Sequence, residues 1–170
     1  MMAGAIDIRI SGLVVIVASF FVAMILSVMS LPSSAPSVVG YLRPEWVLLV
    51  LIYWIIALPH RVGLVVAWCI GLLTDILLGD LLGQHGIGFL IVAYIAQSLY
   101  QRLRMFSIWQ QSLMIFVIVG LYQLINFWIE SVVGQAEWSL WYLLPSVVSA
   151  LVWPWVFLVL RYLRRIFNVT

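Results

Sequence analysis

Few residues in this chain can do chemistry, and they are widely spaced. Asp75 interrupts an apolar run, Gly71-Leu-Leu-Thr-Asp-Ile-Leu-Leu78. A lone carboxylate has no second acid with which to share a proton, and no histidine through which to activate a hydroxyl. Asp80 and His85 are five residues apart in a polar break, a weak pattern for acyl transfer. P-loop, G-x-S-x-G and H-E-x-x-H signatures are absent. The single cysteine, Cys69, excludes an internal disulfide, and no Cys/His spacing suits zinc. Cys69 reads as a small buried apolar side chain. No catalytic residue, cofactor or metal follows from these positions.

Spacing carries more than residue type. Gly71, Asp75, Gly79 and Gly83 recur every four residues, which places them along one helix face as far as the helix persists. Gly71 and Gly79 on that face suit close helix packing, and Ala93 and Ala96 suit it further along. Gln123, Asn126 and Glu130 recur at spacings of three and four. His85 lies at the mouth of the next apolar segment, and Ser146 and Ser149 fall in the last one.

These residues sit in an unusually apolar chain. Its 170 residues include no lysine, eight arginines and six acids, and charged residues make up 8%. An ordinary soluble domain has roughly 25%. Apolar residues are 66% and the mean hydropathy is +1.21. A soluble globule of this size needs more polar surface than the chain can supply. The composition therefore excludes a soluble enzyme, a disordered protein and a nucleic-acid binder. It predicts one all-α integral membrane domain over residues 1–170.

A spanning helix needs about 20 apolar residues, within a range of about 17–25. Six spans are predicted, at about 10–31, 44–58, 62–79, 87–101, 108–129 and 139–161. Alternation that would mark a β-barrel is absent. Span 1 reads as retained, because its apolar stretch exceeds the usual signal core of about 7–15 residues, although Ser33-Ser34-Ala35 offers a cleavage-like site. The segment 32–43 reads as an extended connector. Residues 79–88 form a partial polar break, open to reading as a loop or a re-entrant turn.

Six spans put Arg9, Arg61, Arg102, Arg104, Arg161, Arg164 and Arg165 on one side and only Arg43 on the other. The positive-inside rule then makes both termini cytoplasmic. Glu45, Asp80, Glu130 and Glu137 fall outside. Trp46, Trp109, Trp128, Trp138 and Trp141 fall near span ends, where interfacial belts form. The Arg102/Arg104 and Arg161/Arg164/Arg165 groups can attract anionic lipid. Asp75 lies about four residues, or about 6 Å, inside the outer end of span 3. Asp75, His85, Gln123, Asn126 and Glu130 then share one depth as a candidate polar cluster. Two readings stay open. Either Gln123 and Asn126 hydrogen-bond Asp75 and fix the packing, or the cluster lines an outward-facing cavity for a ligand, a partner segment or a transported proton.

Longer stretches carry a family resemblance. Arg43-Pro-Glu-Trp-Val-Leu-Leu-Val-Leu-Ile-Tyr-Trp54, Ala57-Leu-Pro-His-Arg-Val-Gly63 and Gly71-Leu-Leu-Thr-Asp-Ile-Leu-Leu-Gly-Asp-Leu-Leu-Gly-Gln-His85 resemble the rod-shape-determining MreD family. So do Tyr100-Gln-Arg-Leu-Arg-Met-Phe106, Trp109-Gln-Gln111 and Phe127-Trp-Ile-Glu130. Arg43, Pro44, Pro59, Arg61 and Gly63 belong to these motifs. Gly86-Ile-Gly88 departs from the alanine or leucine expected there, which predicts a looser start to span 4. The resemblance implies a non-enzymatic subunit of the bacterial inner membrane within the Rod complex. It implies MreC as direct partner, with MreB, RodA and its class B penicillin-binding transpeptidase associated. It also implies a fold similar to the six-span S components of vitamin transporters. A small-molecule binder or transporter subunit with a cavity near Asp75 is the alternative.

Overall fold

The computed structural model describes residues 2–29, 42–133, 140–167 and 169, with 2–11 and 140 by backbone alone. The described residues form six α-helices and one short 3-10 turn, with no strand among them. The helices are α1 (Met2–Val28), α2 (Trp46–Ala57), α3 (Leu64–Leu78), α4 (Gln84–Met105), α5 (Ile108–Val133) and α6 (Leu144–Ile166). The 3-10 turn, Leu140–Leu143, leads into α6. The connector at 32–41, Ser33-Ser34-Ala35, Glu137 and Trp138 lie outside the described residues.

Short connections force sequential helices to run antiparallel. Contacts between helix ends bear this out. The Glu45 N–H, just before α2, donates to Ser149 Oγ near the start of α6 (3.0 Å). Gln84, opening α4, reaches Glu130 near the end of α5 (3.0 Å). Arg104, at the end of α4, meets the last carbonyls of α2. Arg61, Arg102, Arg104, Arg161, Arg164 and Arg165 therefore gather at one end of the bundle, while Arg43 lies at the other.

The core is built around α2. Every side chain from Val47 to Ala57 is buried, because a helix apolar on all sides has no face to offer water and is enclosed instead. Helices α1, α4 and α6 surround it. Ala93 and Ala96 of α4 are fully buried in this core, so they serve packing within the bundle rather than reception of a partner helix. Trp54 is also fully buried and donates its indole N–H to Ser19 Oγ of α1 (2.8 Å).

Apolar side chains also dominate the outside. Leu13, Phe21, Val65, Ile76, Leu113, Leu151 and Trp155 are among many large apolar residues left exposed. Buried polar residues include Thr74, Asp75, Gln84, His85, Gln111, Gln123, Asn126, Ser146 and Ser149. This distribution inverts that of a water-soluble domain and suits a bundle solvated by lipid. Two helical stretches, Ile108–Val133 and Trp141–Ile166, are long and apolar enough to cross a membrane. Gly12–Val28, Trp46–Ala57 and Leu64–Leu78 are apolar but shorter.

Several expectations change. Helix α4 begins at Gln84 rather than at 87, so residues 79–83 form a tight turn and 84–88 are already helical. The glycine stripe ends at Leu78: Gly79 (φ +75°) and Gly83 (φ +98°) occupy the left-handed turn that stops α3 and starts α4. A Cβ on Gly79 would meet nothing within 4 Å, so its part is conformational and not close packing. Cys69 is exposed on an apolar outer face with Val65, Trp68, Leu73 and Ile76, rather than buried.

Arg104 shows how helix ends are satisfied. Its Nε donates to Ile56 O (2.8 Å) and its Nη2 to Ala57 O (2.7 Å), closing carbonyls that α2 cannot bond within itself. Arg102 makes no such bond. Replacing Arg104 by Gln is expected to lower stability by about 1–2 kcal/mol, with Arg102→Gln near neutral. Thermal unfolding midpoints of the two variants in detergent provide the comparison.

Candidate functional site

The polar cluster is organised around Asp75, which is fully buried. Its partners come from the turn that follows α3. The Gly83 N–H donates to Asp75 Oδ2 (2.7 Å) and the His85 N–H to Oδ1 (2.8 Å). The carboxylate thus binds donors at the N-terminus of α4 that have no acceptor within the helix, where the helix dipole also favours negative charge. His85 Nδ1 lies 2.9 Å from Asp75 Oδ1. A carboxylate oxygen accepts, so this contact is made by an Nδ1 that carries its hydrogen. Asp80, with its side chain 42% exposed, stands 3.8 Å from the same nitrogen.

The geometry of the turn depends on what lies beneath it. A Cβ on Gly71 would stand 2.5 Å from Gly86 Cα and 2.8 Å from His85 O. Helices α3 and α4 therefore touch backbone to backbone, and only glycine fits at that crossing. A Cβ on Gly88 would fall 2.7 Å from the Tyr122 ring of α5. Gly86 and Gly88, expected to loosen the start of the fourth segment, instead seat α4 tightly against both neighbours. The signal was present in the sequence: Gly86 and Gly88 are small residues adjoining the apolar face that carries Ala93 and Ala96.

Glu130 belongs to a second, adjoining group. It accepts from Gln84 Nε2 on Oε1 (3.0 Å) and from Tyr142 O–H on Oε2 (2.8 Å). Gln84 and Tyr142 were not among the sequence candidates. Gln123 and Asn126 are buried on α5, but their side-chain oxygens accept no hydrogen bond of standard geometry from the described residues. The five candidates thus lie in two bonded sets, Asp75–His85 and Gln84–Glu130–Tyr142, with Gln123 and Asn126 joined to neither. Asp75 is held by the turn after it and not by those two amides.

A cavity of about 230 Å³ opens beside this cluster. Its described lining includes Ser27, Arg43, Glu45, Trp46, Thr74 and His85. Asp75 is sealed behind His85 and does not line it. No group of three or more metal-ligating side chains occurs among the described residues.

A model of the rod shape-determining protein MreD family matches residues 8–163. The rod shape-determining protein MreD of Haemophilus influenzae (strain ATCC 51907 / DSM 11121 / KW20 / Rd) is 38% identical over 133 residues, 77% of this chain and 82% of the relative. The chain belongs to the MreD family. That membership places it among rod-shape-determining proteins. No solved structure matches it.

Read onto the structure, the MreD-like motif residues act mainly at helix ends. The Pro44 carbonyl accepts the Trp46 N–H as α2 begins (2.9 Å). In the turn around Pro59, the Arg61 and Val62 N–H groups close onto Leu58 O (3.0 and 3.1 Å). Gly63 is the N-cap of α3. Gln110 Oε1 accepts the Ser107 N–H at the start of α5 (3.0 Å), and Gln111 Nε2 donates to Leu103 O (2.9 Å). Trp153 of α6, fully buried, donates its indole N–H to Gln111 Oε1 (3.3 Å). Arrangements of this kind fix helix ends and carry no nucleophile or acid–base pair aimed at a substrate position.

Asp75→Leu would strip acceptors from two backbone N–H groups and one ring N–H in an apolar interior, at about 1–3 kcal/mol for each donor left unpaired. Asp80 is partly solvated. The expected result is that Asp75→Leu lowers the yield of folded protein and its ability to restore rod shape in a deletion strain, while Asp80→Leu retains both. Matching yield and complementation for the two variants would remove Asp75 from its central place.

Proposed function

We propose that this protein is a multi-pass scaffold subunit of the bacterial inner membrane within the Rod complex. It binds MreC and supports the positioning of MreB, RodA and the class B penicillin-binding transpeptidase during lateral wall synthesis. Membership of the MreD family is the observation that carries this reading. The apolar exterior supports it too, because a bundle with so little loop outside its helices must make its contacts largely through lipid-facing side chains. The Asp75 carboxylate is engaged in closing the turn between α3 and α4.

In this reading all six helices cross the bilayer, with the arginine-rich end in the cytoplasm and the Asp75–His85 end outside. The gathering of Arg61, Arg102, Arg104, Arg161, Arg164 and Arg165 at one end supports that orientation. A reporter active only in the cytoplasm is expected to work when fused after Thr170. Activity there of a reporter that functions only in the periplasm would reverse the topology.

Contact with MreC is assigned to the outer apolar faces. Gly71 is not free for it, since α4 already occupies that surface. Replacing Arg164 and Arg165 together by Gln is expected to leave MreC capture largely intact, because exposed Arg165 contributes little to affinity and half-buried Arg164 is engaged within the chain with Val169 O (3.2 Å). The measurement is the MreC:protein ratio after affinity purification in mild detergent, normalised to folded protein. Loss of MreC from the double variant would move docking to the cytoplasmic end. Purification of the native protein with an energising ATPase in place of MreC would favour a transporter subunit.

A further inference from the structure

The cavity beside His85 is lined by one basic and one acidic side chain. Arg43 and Glu45 both line it and both are half-buried; neither side chain makes a hydrogen bond or ion pair with a described residue, and the Glu45 carboxyl lies within electrostatic reach of His85. They do not pair with each other. A simple anion would be attracted by Arg43 and repelled by Glu45, and a simple cation would meet the reverse. A group with a positive and a negative charge a few bonds apart satisfies both. At about 230 Å³ the cavity is smaller than the roughly 300–1,000 Å³ of pockets that enclose a whole soluble ligand. It is of a size to hold one end of a molecule.

The other end has a place next to it. Trp46 forms a wall shared between this cavity and a groove of about 610 Å³ running between α1 and α6. On α1 the change is abrupt, with Leu26 lining the groove and Ser27 the cavity. The groove is lined by apolar side chains such as Val14, Val22, Val156 and Leu163, and its one serine, Ser19, has its hydroxyl bonded to Ile16 O and the Trp54 indole. From Leu26 to Val14 it follows α1 for twelve residues, or about 18 Å at 1.5 Å per residue. That depth exceeds half of a hydrocarbon core of about 30 Å, enough to seat an extended acyl chain.

We propose that this composite site binds a phospholipid with a primary-ammonium head group, phosphate on Arg43 and ammonium on Glu45, with one acyl chain in the α1–α6 groove. The carboxylate selects the head group. A primary ammonium donates charge-assisted hydrogen bonds to it, whereas a trimethylated nitrogen has no donor. The proposal rests on the reading that lipid surrounds the bundle. It is independent of MreC, and its test uses the isolated full-length protein, so either can fail without the other.

Binding would be measured by native mass spectrometry of the detergent-solubilised protein, titrated with phosphatidylethanolamine, phosphatidylcholine and phosphatidylglycerol of identical acyl chains. Water-soluble phosphoethanolamine provides the head group alone. Phosphatidylethanolamine is expected to bind about tenfold more tightly than either other lipid, and the free head group far more weakly. Glu45→Gln is expected to bring phosphatidylethanolamine to the level of phosphatidylcholine, and Arg43→Gln to weaken both. Val22→Trp, which fills the groove at an exposed position, should weaken all three lipids. Neither charged side chain holds the fold through a bond of its own, and unchanged unfolding midpoints would establish that the variants are folded. Equal binding of the three lipids, or selectivity that survives Glu45→Gln, overturns the proposal. So does free phosphoethanolamine competing as well as the whole lipid, since the groove would then contribute nothing.

Discussion

The Asp75 carboxylate determines how one whole end of this bundle is assembled. In an apolar interior a turn must find its acceptors within the protein, and the turn from α3 to α4 finds them on Asp75. Fixing Gly83 and His85 fixes Gln84 between them, and Gln84 is then directed at Glu130 of α5. Glu130 holds Tyr142 at the entrance to α6, and α6 presents Ser149 to the backbone just before α2. One buried charge thus sets, through successive hydrogen bonds, where four other helices begin or end. The opposite end uses the same logic with different residues: Arg104 closes α2, while Gln111 joins the end of α4 to Trp153 of α6.

Contact distance matters as much as polarity. Gly71 against Gly86, and Gly88 against Tyr122, bring α3, α4 and α5 close enough for the short bonds of the turn to form. Larger side chains would lift α4 from its neighbours and carry His85 away from Asp75. The family's polar motifs and its glycines therefore belong to one device. This accounts for the acids, amides and imidazole concentrated at this end of an apolar bundle.

The sequence made the helical class, the antiparallel order and the gathering of arginines legible, because long apolar runs and charge asymmetry are local properties of the chain. Asp75 was legible as exceptional because a carboxylate in such a run requires partners. His85 was legible as a neighbour at the same depth, but the backbone partners were not. Those N–H groups are presented to the carboxylate only once Gly79 and Gly83 adopt positive φ, and spacing along a helix cannot reveal a turn that interrupts it. Gln123 and Asn126 had the right period and depth, yet the turn residues lie nearer in sequence and reach the carboxylate first. Cys69 was misplaced for a related reason: apolar character does not separate a residue facing other helices from one facing lipid.

The enclosure of α2 bears on how the protein is made. This helix has 12 residues, about 18 Å at helical rise, and all its neighbours except α1 are encoded after it. Its final carbonyls wait for Arg104, 47 and 48 residues further on, and part of its cover waits for α6 at the end of the chain. In the proposed multi-pass reading, α2 stays against lipid or insertion machinery until those later segments arrive. Without α6, one side of the central helix stays uncovered.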